Sequence, residues 1–246
     1  MNQEISATGK ERNQHQDDSI LFGSPEQQLH LQHALEDLHF LLSRDYPFKA
    51  SLALVGNRYD LIKRQQFALQ GMACSAQQLQ ARKCKEATPA DLQGKEILLD
   101  AFNVLILLET ALSGGYIFKG LDGCYRDISS VHGAYRKVAQ TEEALVLAGE
   151  MLGRLGAGKV TWVFDAPVSN SGKMKGLCYE IAAQHRFNWD AVLENSPDKY
   201  LIGSRFLVCT SDAWILDECT AWFNLGAYIV QHMLQDKALH IVSAVG

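Results

Sequence analysis

The sequence predicts an α/β protein: a three-layer α/β/α sandwich with a mostly parallel sheet, preceded by a helical N-terminal segment. Three observations carry this. From Lys95 onward, short apolar runs of strand length alternate with segments of helical spacing, as βαβ units require. Before that point the apolar residues recur mainly with helical spacing. Three of the strand-length runs end in aspartate, which strand interiors disfavour but which suits the carboxyl edge of an α/β sheet.

Along the chain, residues 1–23 are polar, rich in Gln, Asn, Glu and Asp, and read as a disordered tail. A mainly helical unit follows over 24–86. Ser24 and Pro25 supply a cap and a first helical residue, and Leu35, Leu38, Leu41 and Leu42 mark a face to be buried. Residues 50–59 read as a short strand, 61–72 and 75–84 as helices, and 87–95 as a linker with Pro, Asp and Gly close together. The α/β domain then spans 95–246. Its strands are expected at 96–103, 159–165, 187–195 and 205–212, with a short one near 221. Helices are expected at 103–115, at 141–158 with Thr141 as cap, at 171–186, 196–204 and 213–219, and at the end of 221–235.

Composition bounds the function. The chain has 246 residues, 47% of them hydrophobic and 21% charged, which is the balance of an ordinary globular protein and excludes a disordered chain. Its 28 acidic and 23 basic residues give a net charge of −5, which excludes a strongly basic nucleic-acid coat protein but allows a local basic groove. No apolar run is long enough to span a membrane and the N-terminus has no secretory apolar core. The six cysteines are scattered, with no CxxC pair, as in reduced cytoplasmic proteins.

The three terminal aspartates are Asp100 in EILLDAFN, Asp165 in VTWVFDAPVSN and Asp212 in FLVCTSD. At adjacent strand ends they would converge in one crevice. Clustered carboxylates repel one another, and a hard divalent cation offsets that best: Mg2+ or Mn2+, which takes a few carboxylates, water and phosphate oxygens. The chemistry expected of such a centre is phosphoester hydrolysis. Asn103, three residues after Asp100, could orient water or phosphate; Lys173, with VSNSG before it at a helix start, suits a phosphate. Arg126 lies in a stretch of interleaved basic and aromatic residues of the kind that contacts nucleic acid, together with Tyr125, His132, Tyr135 and Arg136. Arg58, Lys63 and Arg64 form a small basic patch that could shape the groove, and Glu109, Asp190 and Asp217 are further acids within reach in sequence.

Four motifs, DAFN at 100–103, VFDAPVSNSG at 163–172, SPDKYL at 196–201 and CTSDAWILD at 209–217, follow the order of acidic motifs in PIN-like and NYN-type ribonuclease domains, which this region resembles. The resemblance implies that Asp100, Asp198 and Asp212 hold the metal with Asn103 at its edge, and that Asp165, Ser169 and Asn170 lie on the substrate side. The whole chain also resembles the domain-of-unknown-function 434 proteins. Together these readings give a metal-dependent nuclease acting on RNA. The rival from another class is a non-catalytic nucleic-acid- or protein-binding module on a degenerate PIN-like fold. Motifs for dinucleotide binding (GxGxxG), P-loop NTPases (GxxxxGK[ST]) and α/β hydrolases (GxSxG) are absent from the sequence.

Overall fold

Side chains of the central strand are buried on both faces, and that sets the architecture. The computed structural model describes residues 17–128 and 135–243. In β1 (Ile97–Asp100), Ile97 and Leu99 point into one core and Leu98 into another. β4 (Val160–Asp165) alternates likewise, with Trp162 and Phe164 on the first face and Val163 on the second. β5 (Trp189–Glu194), β6 (Leu207–Cys209) and β7 (Trp222–Phe223) complete a five-stranded sheet in the order β5-β4-β1-β6-β7, parallel throughout.

One face carries α6 (Ala101–Leu112), α7 (Thr141–Arg154), α8 (Ser171–His185) and α11 (Leu225–Met233). The other carries α9 (Pro197–Ile202) and α10 (Ala213–Glu218), through Leu201, Ile215 and Leu216. This is the expected three-layer sandwich. Thr141 opens α7 at its first helical position rather than as its cap, and its hydroxyl accepts from the Val138 N–H.

A second, small sheet in the order β3-β2-β8 is built from β2 (Tyr116–Lys119), β3 (Tyr125–Arg126) and β8 (His240–Ser243). β2 is shared between two cores, with Ile117 facing the main core and Phe118 the N-terminal one. The helices α1 (Asp18–Phe22), α2 (Pro25–Leu42), α3 (Phe48–Arg58) and α4 (Lys63–Met72) close around Phe118 and Val242, with Leu35, Leu38 and Leu42 buried and Leu41 at the margin. Ser24 caps α2 as expected, accepting from the Gln27 N–H. α5 (Ala76–Lys85) lies apart from this cluster, beside α10 and the β7 edge. There the Trp222 indole donates to the Arg82 carbonyl and the Ala87 N–H to the Trp222 carbonyl.

Two further expectations are corrected. Residues 50–58 are helical: Leu52 and Val55 pack into the N-terminal core, which holds the apolar run as α3. The expected tail is ordered from Asp18, because Phe22 is 1% exposed and its ring sits edge-on to Phe118 at 4.8 Å, while the Arg64 guanidinium pairs with Asp18. Residues 1–16 of that tail lie outside the described residues. Of the expected basic patch, Arg64 pairs with Asp18, and the exposed Arg58 pairs with Asp37 at 3.2 Å.

Candidate functional site

The chain runs outward from β1 to β4 and β5, then returns to β6 and β7 on the other side of β1. The winding reverses at β1, and the carboxyl ends of the strands there form the crevice where α/β proteins bind ligands. Register fixes what meets. Leu99 pairs with Cys209, which sets Asp100 beside Thr210, and Asp100 pairs with Val163, two residues before Asp165. The Thr210 hydroxyl donates to Asp100 Oδ2 at 2.7 Å, and the Ser211 N–H and hydroxyl both donate to Asn103 Oδ1, at 2.8 and 3.0 Å.

Asp100, Asn103, Asp127, Asp165 and Asp198 line one cavity of about 220 Å3, walled by Phe102, Ile106, Val163, Val168 and Pro197. That is below the ~300 Å3 at which small-molecule pockets begin. Burial pushes the Asp100 carboxyl up to about 7; the Thr210 hydroxyl opposes this, and the charges of Asp212 and Asp198 add to it. Asp198 is raised by burial and then by Asp212 and Asp165, and Asp165 by burial. The acids therefore feel one another across the crevice. Among the described residues, no three His, Cys, Asp or Glu side chains stand close enough to form a ready metal cage.

Asp212 is also the N-cap of α10, its Oδ1 accepting from the Trp214 and Ile215 N–H groups at 2.9 and 3.1 Å. Its placement beside the pocket is thus partly explained by capping.

A second cavity, of about 450 Å3, opens along α8 and is lined by Arg136, Lys137, Asn170, Lys173, Met174, Leu177 and Glu180. Two expected substrate residues, Asn170 and Lys173, meet here. Asn170 adopts a left-handed conformation (φ 71°), and its amide donates to the Tyr135 carbonyl at 2.8 Å. The exposed Ser169 lies on the same turn, its carbonyl accepting from the Tyr135 N–H.

Several expected residues are engaged elsewhere. Arg126, expected on substrate, is turned inward: both terminal nitrogens bind Asp122, at 2.9 and 2.6 Å, and Nε binds the Ser211 carbonyl at 2.7 Å. Asp217 accepts from Arg82 and Gln78. Asp190 holds Lys159 and Tyr179 at the surface. Glu109 is buried in α6, where the Tyr135 and Thr141 hydroxyls donate to it. His132 lies outside the described residues. The sequence reading passed over Asp127, Lys137, Arg82 and Asp122. Asp127 carries a signal like that of Asp100, an acid at a strand's carboxyl end, but it follows a strand of only two residues, whereas Asp100 closes an apolar one of four.

The fold and the crevice define an α/β/α protein with an acidic pocket at the point where the sheet's winding reverses. Residues 89–228 match the family described as "Domain of unknown function (DUF5616)", and the chain belongs to it. Residues 30–85 match "Protein of unknown function (DUF434)", so the resemblance to that family covers the helical segment and not the whole chain. The chain is 30% identical over 186 residues to the "Uncharacterized protein MJ0935" of Methanocaldococcus jannaschii, covering 76% of this chain and 88% of that protein. No solved structure matches.

Proposed function

We propose that the protein is a divalent-metal-dependent nuclease that hydrolyses phosphodiester bonds in RNA. The observation that carries this reading is the single cavity lined by the carboxyls of Asp100, Asp127, Asp165 and Asp198, in which Asp100 is raised by burial and by its acidic neighbours. A cation bound among these carboxyls would favour their charged forms and offset their mutual repulsion. The order of the four acidic motifs, like that of PIN-like and NYN-type domains, supports the same reading.

The donor set is all oxygen, which fits Mg2+ or Mn2+. Asp100 and Asp198 would hold the ion, with Asp212 and Asp165 beside them, and water would complete its shell as it usually does for Mg2+. When bound, the ion supplies an acidified water and charge stabilisation at phosphorus. Asn103 spends its carbonyl oxygen on Ser211, which leaves its amide N–H groups as what it can offer a phosphate oxygen. Lys173, Arg136 and Lys137 would carry the flanking phosphates in the cavity along α8. The six free cysteines and the lack, among the described residues, of a helix long and apolar enough to cross a membrane are compatible with a cytoplasmic setting.

The capping role of Asp212 favours a second reading, a nucleic-acid- or protein-binding module without catalysis. One experiment separates the two: labelled single-stranded RNA incubated with the protein, with Mn2+ or with chelator, alongside Asp100→Asn. The nuclease reading expects Mn2+-dependent cleavage that both chelator and the substitution abolish. RNA bound but never cut supports the second reading.

A further inference from the structure

Arg82 belongs to the N-terminal segment, yet its side chain is 2% exposed and all three of its guanidinium nitrogens reach out of that segment. Nε donates to Asp217 at 2.7 Å, Nη1 to Asp122 at 2.5 Å and Nη2 to the Ala213 carbonyl at 3.3 Å. Asp122 in turn holds both terminal nitrogens of Arg126, whose Nε donates to the Ser211 carbonyl at 2.7 Å. Gln78 and Lys85 of the same helix add bonds to the Asp217 side chain and carbonyl.

Two carbonyls gripped this way, those of Ser211 and Ala213, belong to the 210–213 turn that meets the acidic pocket. Thr210 donates to Asp100, Ser211 donates twice to Asn103, and the Asp212 N–H donates to Thr210 Oγ1 at 3.0 Å. A buried ion network seldom stabilises a fold more than well-packed apolar groups would; what it adds is fixed direction. Arg82 presents planar, directional donors that tie α5, the 120–126 hairpin and α10 to one turn.

We propose that Arg82 is a positioning residue for the acidic pocket: α5 holds the 210–213 turn, directly at Ala213 and through Asp122 and Arg126 at Ser211, in the register that sets Thr210 on Asp100 and Ser211 on Asn103. The helical segment thereby completes a site whose acids all lie in the α/β region. The assignment rests on the reading that this pocket is catalytic.

The test uses the full chain with Arg82→Lys, Arg82→Gln and Asp217→Asn; the last removes one charge from a partner that is 26% exposed and keeps the test available should Arg82→Gln fail to fold. Two readouts are taken: amide hydrogen exchange at Ser211 and Asp212, and kcat and KM on RNA with Mn2+. The expected result is exchange at these two amides about tenfold faster or more while β1 amides hold, with kcat down about tenfold and KM within about twofold, as misplacement of a reacting group produces. Arg82→Lys should recover part of both effects. Unchanged exchange at Ser211 and Asp212 in the folded variants overturns the proposal. So does exchange that rises equally in β1, or faster local exchange with kcat intact. If the wild-type protein cleaves no RNA, the nuclease reading fails by itself, and the exchange data alone decide whether Arg82 holds the turn.

Discussion

Asp122 carries the strongest single-residue consequence. Burial pushes its carboxyl up, but Arg126 and Arg82 outweigh that, and the net effect holds it below the usual carboxylate range. A folded-state pKa depressed in this way contributes stability that is full above the unfolded carboxylate value of about 4 and is lost as pH falls below it. Asp122→Asn leaves two buried guanidinium groups short of a counter-charge and should cost about 3 kcal/mol by urea unfolding at pH 7. The difference from wild type should shrink as the pH is lowered below about 4; a constant difference would mean that Asp122 acts by packing alone. Asp100→Asn should behave oppositely. In metal-free buffer the amide keeps an acceptor for Thr210 and removes a charge that Asp212 and Asp198 repel, so the melting temperature should hold or rise while Mn2+-dependent cleavage disappears. The two acids also differ in how readable they were. Asp100, Asp165 and Asp212 stood out because each ends an apolar run, and adjacent parallel strands bring such ends together. Arg82 and Asp122 gave no local signal, because partners 40 and 135 residues from Arg82 decide its burial.

At the scale of elements, the alternating α/β pattern after Lys95 was legible because the central strands β1 and β4 are buried on two faces and the helices have stops or caps. The misread elements are those whose identity depends on a distant surface. Residues 50–59 look like a strand, with Leu, Ala and Val in a short run and a glycine near the end. They coil because Val55 joins the α2 core, and Gly56 lets the Gln66 side chain approach to where a Cβ would stand 2.9 Å from it. β8 is four residues long with only Val242 buried, too short a pattern to stand out, and it is a strand because β2 offers it an edge. α1 is a similar case: five residues held by Phe22 against Phe118 and by Asp18 against Arg64. Phe22→Ala should therefore cost about 3 kcal/mol in thermal or urea unfolding, as loss of a fully buried ring does. A frayed tail would show a change near zero.

Over the whole molecule, the helical segment and the α/β region share surfaces. Phe118 and Val242 sit in the N-terminal core, and Trp222 at the edge of the main sheet bonds to the Arg82 carbonyl. A fragment of residues 95–246 would expose all three and leave Asp122 without one of its arginines. It should lack a cooperative urea transition and the near-ultraviolet circular dichroism of the full chain. A fragment that unfolds cooperatively with native-like signal would show that the two parts are energetically separate. The acidic pocket is assembled across the α/β region, since Asp100 closes β1, Asp165 closes β4, Asp127 follows β3 and Asp198 lies in α9.

The central claim, that this pocket is a divalent-metal site, is tested most directly by crystals soaked in Mn2+ and measured for anomalous scattering. The account predicts a peak in the cavity bounded by Asp100, Asp165 and Asp198, within coordination distance of Asp100, and no peak there in crystals of Asp100→Asn. Ordered side chains with no anomalous density in that cavity at millimolar Mn2+ would contradict it.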